Sequence, residues 1–232
     1  MDLVVEGFST AFWMLLSGDR DVLAIAVLTL QVSIAATIIS LIVGLPIGTF
    51  LALVPFPGRQ FVMSLVNTGM GLPPVVVGLF VMILLWRSGP LGDLHLLFTP
   101  SAMIFAQFII SFPVVVGLTV SAIQSLHPKL RLQILALGAN RWQLFWLLAR
   151  EARLPLMAAV MAGFGAVISE VGASMMVGGN IRGQTRVLTT ATVTEAGRGE
   201  FGLAIALSIL LLLLVYLVNL VLTWLQQRRT AQ

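Results

Sequence analysis

Glu170 is the one ionisable residue inside a long apolar run, Leu154 to Ile181, and a charged carboxylate at membrane depth costs roughly 2.5–3.5 kcal/mol on insertion scales. Such a group turns toward a bundle interior or cavity, which makes Glu170 a candidate pathway or gate residue. An ionised Glu170 would repel an anion, so the expected role is structural or gating, through a hydrogen bond to a neighbouring helix. The alternative is a hydrated carboxylate near the outer interface. Arg182 and Arg186 stand four apart in a later polar segment. Guanidinium forks suit tetrahedral oxyanions and equally suit acidic patches on a docking protein, so both are candidates for docking or an outer gate. The hydroxyls of Thr68, Ser111, Ser169 and Ser174 can donate to a passing oxyanion, although isolated hydroxyls in membrane helices usually satisfy their own backbone. Ser174 is grouped with Glu170, four positions before it.

Other chemistries lack their residues. There is no G-x-x-x-x-G-K-[ST] loop, and the sole lysine, Lys129, follows Pro128, so ATP hydrolysis by that route requires a partner subunit. The chain has no cysteine, which removes disulfides, thiolate metal sites and Cys nucleophiles together. His95 and His127 are too far apart and too poorly accompanied to form a metal site. No metal or cofactor is expected in this chain, and it is not expected to be an enzyme.

These residues sit on membrane spans. Of the 232 residues 59% are hydrophobic and 9% charged, and the mean hydropathy is +1.04, far outside the range of soluble domains. Long uncharged runs predict an all-α integral membrane protein with five spans, at about 22–54, 60–86, 96–126, 154–180 and 201–226, within a single membrane domain over 21–227. Before them, Leu3, Val4, Phe8, Ala11, Phe12 and Leu15 recur at helical spacing, which predicts an interfacial amphipathic helix over residues 1–20; a flexible tail is the alternative. Gly69, Gly71, Pro73 and Pro74 interrupt the second run, Pro46 lies between Gly44 and Gly48 in the first, and Pro113 lies in the third. Freed backbone groups at that depth must face protein or a wet cavity. Gly71, Pro73 and Pro74 are therefore candidate pathway or gate positions, whereas Pro46 is read as a packing kink.

Eight of the thirteen Lys and Arg fall at Arg59, Lys129, Arg131, Arg141, Arg150, Arg153, Arg228 and Arg229. These positions predict a multi-pass protein with its N-terminus outside and C-terminus cytoplasmic, and the net charge of +4 reports topology rather than nucleic-acid binding. The segment 127–153 then lies inside. Pro128 suits the first turn of a helix carrying Leu130, Ile134 and Leu137 on one face, and Gly138 offers a left-handed stop. Asn140 with Gln143 reads as a capping box opening a second helix through Trp142, Phe145, Trp146 and Leu148. Basic interfacial helices with Trp anchors also occur simply to fix depth in the bilayer, so patterning alone leaves both a docking surface and a membrane anchor open.

The run Leu137-Gly138-Ala139-Asn140-Arg141-Trp142 before a further span resembles the coupling segment of permease subunits of ATP-binding-cassette (ABC) importers. Glu151 to Leu154, Gly163 to Ile181, Thr185 to Thr190, Gly71 to Leu79 and Arg87 to Gly92 are similar to the tungstate-type branch of that family. The chain departs from the general pattern in having Leu132, Gln133 and Ile134 where Glu-Ala-Ala is usual, and its Leu154-Pro155 lies three or four residues further on than the family's Leu-Pro pair.

The resemblance implies a type I importer permease fold, with residues 137–142 as the ATPase-coupling contact. It also implies a cytoplasmic ATPase dimer that binds ATP and magnesium, an extracytoplasmic binding protein, and a second permease copy forming a homodimer in membrane lipid. The implied task is import of an oxyanion across the cytoplasmic (inner) membrane, tungstate before molybdate or sulfate. An ion-coupled secondary transporter is the alternative outside this family, and Glu170 would be its only intramembrane titratable group.

Overall fold

The computed structural model describes residues 2–228, with side chains at 2–6, 15, 16 and 228 left aside. All regular structure among the described residues is helical. It runs as α1 (Asp2–Ser17), α2 (Arg20–Leu53), α3 (Arg59–Met70), α4 (Pro74–Leu85), α5 (Pro100–Gln124), α6 (Pro128–Ala136), α7 (Arg141–Glu151), α8 (Arg153–Ile168), α9 (Gly172–Gly178), α10 (Leu188–Gly197) and α11 (Phe201–Arg228). Among them α2, α5 and α11 are each long and apolar enough to cross a membrane, and α3 with α4 and α7 with α8 qualify as bent pairs.

The predicted second span is broken where its Gly and Pro residues fall. Gly71 closes α3, Pro73 is extended, and Pro74 opens α4 at a position where a missing N–H costs nothing. The two helices meet at 101°. The predicted fourth span is also interrupted: α8 covers 16 residues, about 24 Å of rise, and stops before Glu170, after which α9 begins at Gly172.

Helices α2 and α5 form the central pair, and small residues let them touch. A Cβ on Gly44 would lie 2.8 Å from Val115 Cγ1, and one on Gly48 would lie 2.7 Å from Thr119 Cβ. Pro46 sits between these contacts, so it belongs to a close helix crossing of the small-xxx-small kind. The hydroxyls of Ser40 and Ser111 are hydrogen-bonded across the same seam. Beside it, Val32, Val81, Ala102, Met103, Ala106 and Val177 form the buried core joining α2, α4, α5 and α9.

In α1 the packed edge is Gly7 and Ala11, the former lying directly against Ile205 of α11, whereas Phe8 and Phe12 of the expected apolar face point outward. Leu3, Val4 and Leu15 of the expected face are among the side chains left aside. Between the predicted fourth and fifth spans, where only a loop was expected, lies α10. Its Leu188 and Ala191 pack on Leu207 and Leu210 of α11.

Candidate functional site

The segment 127–153, the candidate coupling segment, folds as its local sequence dictates. The His127 ring nitrogen accepts from Lys129 N–H at the start of α6. Gly138 takes φ +82°, in the left-handed region that a Cβ disfavours. Its N–H donates to Leu135 O at 3.0 Å, and Ala139 N–H donates to Ile134 O at 3.3 Å, closing the α6 C-terminus. Asn140 then caps α7 reciprocally: Gln143 N–H donates to Asn140 Oδ1 and Asn140 N–H to Gln143 Oε1, both at 2.8 Å.

This hairpin divides its apolar side chains in two. Ile134, Leu144, Leu148 and Ala152 are buried with Ile123, tying the hairpin to the end of α5 and the start of α8. Leu137 is 88% exposed, Trp142 82% and Trp146 70%. Leu137 therefore leaves the Leu130 and Ile134 face on which the sequence placed it, because the helix ends at Ala136 and the chain turns. Exposed Leu and Trp around one glycine turn, beside the cationic Arg141, form a contact surface.

At the other end of α8 the two helix breaks meet. A Cβ on Gly78 of α4 would lie 2.6 Å from Ala173 Cα of α9, and one on Gly172 would lie 2.5 Å from Val75 Cγ2 and 3.6 Å from Glu170 Oε1. Glu170, only 9% exposed, places Oε1 at 2.9 Å to accept the Ala173 N–H. A carboxylate there receives an otherwise unpaired first-turn N–H. The Glu170 carbonyl accepts from Thr189 Oγ1 of α10 at 2.9 Å. One residue thus links α8, α9 and α10.

Ser174 is buried and faces protein: Gln107 Nε2 of α5 donates to its Oγ at 3.1 Å. Ser111 is engaged with Ser40. Thr68 and Ser169 are exposed and donate to the carbonyls of Ser64 and Gly165, one turn back. Gly71 and Pro73 lie exposed at the α3–α4 bend, apart from the α4–α9 contact at which Glu170 lies and Ser174 is turned inward.

Arg182 and Arg186 share a loop but not a surface. Arg182 is exposed and pairs with exposed Asp21 at the start of α2, whose carboxylate raises the guanidinium pKa above its ordinary value by hydrogen bonding and charge. Water screens such a pair. Arg186 turns inward, its Nη1 3.4 Å from Glu195 Oε1 of α10, and Arg198 lies 3.1 Å from the same oxygen. Glu195 is 6% exposed. Its role escaped the sequence because its burial depends on α10 packing. Gln107 escaped because a search for charges passes over an amide.

Replacing Glu170 tests its capping role. Glu170→Gln retains an acceptor for Ala173 N–H and is expected to melt within about 2 °C of wild type in detergent. Glu170→Leu leaves that buried N–H unpaired at a cost of about 1–3 kcal/mol and is expected to lower Tm by about 2–12 °C for a chain of this size. Equal melting of the two variants would remove the cap from the account.

Comparison with known proteins bears on both ends of this arrangement. Residues 44–231 match the family model described as binding-protein-dependent transport system inner membrane component. The chain is 45% identical over 201 residues to a probable anion ABC transporter permease protein of Haloferax volcanii, covering 84% of this chain and 87% of that one. It is 39% identical over 227 residues to the tungstate uptake system permease protein TupB of Peptoclostridium acidaminophilum, covering 98% of this chain and all of the relative. Among solved structures, a chain of the MetNI methionine ABC transporter in inward-facing form superposes with TM-score 0.72 at 19% identity, over 94% of this chain and 96% of that chain. At that identity the likeness concerns the fold.

Proposed function

Because the chain belongs to the family of binding-protein-dependent transport system inner membrane components, we propose that it is the membrane subunit through which an ABC importer passes an oxyanion, tungstate, into the cell. It works as a homodimer with a cytoplasmic ATPase dimer and an extracytoplasmic binding protein. The observation that carries the reading is the coupling hairpin, with exposed Leu137 and Trp142 on one side of Gly138 and buried Ile134, Leu144 and Leu148 on the other. A push on the exposed side is delivered through the buried side to α5 and α8. The choice of tungstate rests on the full-length similarity to the tungstate uptake permease.

The residues divide the labour accordingly. Leu137 to Trp142 receive the ATPase, which supplies ATP and its magnesium ion. Gly71, Pro73 and Pro74 shape the bend of the pathway wall, and Glu170 holds the α8–α9 break. Ser174, tied to Gln107, positions α9 against α5. Arg182 is the loop cation available to an acidic patch on the binding protein, while Arg186 holds the loop from within. With Glu170 the only charge in its span, a dianion passing along α8 and α9 meets no fixed cation at which to become trapped.

Proteoliposomes containing the permease, its ATPase and binding protein are expected to accumulate tungstate only with internal ATP, and molybdate and sulfate should compete less well. Uptake indifferent to ATP would overturn the reading; preferential uptake of molybdate would change the substrate. Orientation is tested separately, since the natural chain has no cysteine. In intact cells Gln184→Cys is expected to react with an impermeant maleimide, and Gln133→Cys to react only after permeabilisation. The opposite pattern would invert the topology.

A further inference from the structure

A groove adjoins the coupling hairpin where it meets α2. It has a volume of about 650 Å³ and lies between the C-terminal end of α2 and the helices α6 and α7. One wall is Pro46, Phe50 and Leu53 of α2, the opposite wall includes Leu144 and Phe145 of α7, and Arg131 and Arg141 stand at the rim. That volume falls in the range of small-molecule sites. Both arginines are exposed, and neither has a carboxylate partner among the described residues.

The arrangement has a polarity. Pro46 lies seven residues before Leu53 on a helix that passes the test for a membrane span, so the apolar wall extends about 10 Å into the bilayer from the helix end. The cations stand at the opposite, aqueous end. A soluble partner cannot follow the wall to Pro46 inside the hydrocarbon, whereas an amphiphile with a negative head and an apolar tail matches both halves. Basic pockets at the cytoplasmic membrane face bind anionic headgroups in this way.

We propose that this groove binds one anionic phospholipid, its phosphate on Arg131 and an acyl chain along Pro46, Phe50 and Phe145. The inference rests on the orientation above, which places this end in the cytoplasm. The lipid bridges α2 and α7, elements not otherwise clamped by a hydrogen bond among those described, and so sets how closely the coupling hairpin is held to the membrane domain.

Native mass spectrometry of the complete importer, taken from bilayers of equimolar phosphatidylglycerol and phosphatidylcholine, tests it. Wild type and the Arg150→Gln control are expected to retain phosphatidylglycerol about tenfold over phosphatidylcholine. The Arg131→Gln variant is expected to lose most of that enrichment while still eluting with its ATPase in phosphatidylcholine alone. Undiminished enrichment in the Arg131→Gln variant would overturn the site. Loss of the ATPase from it in phosphatidylcholine would assign Arg131 to the ATPase interface and overturn it equally. Uptake by wild type in the same bilayers separates the two readings: uptake without lipid enrichment defeats only the groove, and enrichment without uptake defeats only the transport function.

Discussion

Gly138→Val is expected to reduce ATP-driven uptake at least about tenfold while leaving the permease in the membrane. Gly138 holds φ +82°, and a side chain there costs about 1–2 kcal/mol, more for a β-branched residue. Since about 1.4 kcal/mol is a factor of ten in an equilibrium, the hairpin with Leu137 and Trp142 on one surface becomes a minor conformer. A Cβ at this position would meet no atom within 4 Å, so the effect arises from backbone conformation and not from a clash. Gly138→Asn supplies the control, because Asn tolerates the left-handed region; it is expected to keep at least about half of wild-type uptake. Measuring uptake together with co-purification of the ATPase checks both. Equal activity of the Val and Asn variants would separate coupling from the turn.

Glu195→Leu is expected to be the most destabilising single change outside the apolar core. Its carboxylate is the anion shared by Arg186 and Arg198, and the Arg186 side chain is itself only 13% exposed. Removing one member of a buried pair leaves an uncompensated charge and costs about 3–5 kcal/mol. Taking the lower figure, because Arg198 is largely solvated, Tm should fall by about 6–12 °C for a chain of this size. Arg186→Leu/Glu195→Leu removes both charges and is expected to recover much of the loss, with a coupling energy of at least about 1 kcal/mol in the double-mutant cycle. A single variant melting within about 2 °C of wild type would show that the pair does not hold the loop between α9 and α10.

What was legible in the sequence was local. Gly138 as a left-handed stop and Asn140 with Gln143 as a capping box involve residues three or four apart, and the structure repeats both. The interruption at Gly71 to Pro74 was equally plain, since proline cannot continue a hydrogen-bond ladder, but its 101° angle depends on what α3 and α4 pack against. Position in the bundle was not legible. In α1 the apolar spacing included Phe8 and Phe12 on a face read as interfacial, and gave no sign that Gly7 packs on a neighbouring helix. A helix beside another in lipid instead turns small residues inward for close approach and large ones outward, and Gly7 and Ala11 do so against α11. Glu195 and Arg186 were separable only once α10 was seen to pack between α11 and α2, because nothing in the spacing of a polar segment indicates which of its charges is enclosed.

The Glu170 junction sets a limit on independent movement. Helix α8 is a stiff arm of about 24 Å whose near end is fixed in the coupling hairpin and whose far end carries Glu170. A swing of about 10° at the near end carries the far end about 4 Å, several times the stretch at which a hydrogen bond is lost. The 2.9 Å bonds from Ala173 N–H and Thr189 Oγ1 to Glu170 therefore survive such a stroke only if α9 and α10 ride with it, so a displacement at the α7 end of α8 reaches the far end as the motion of one body.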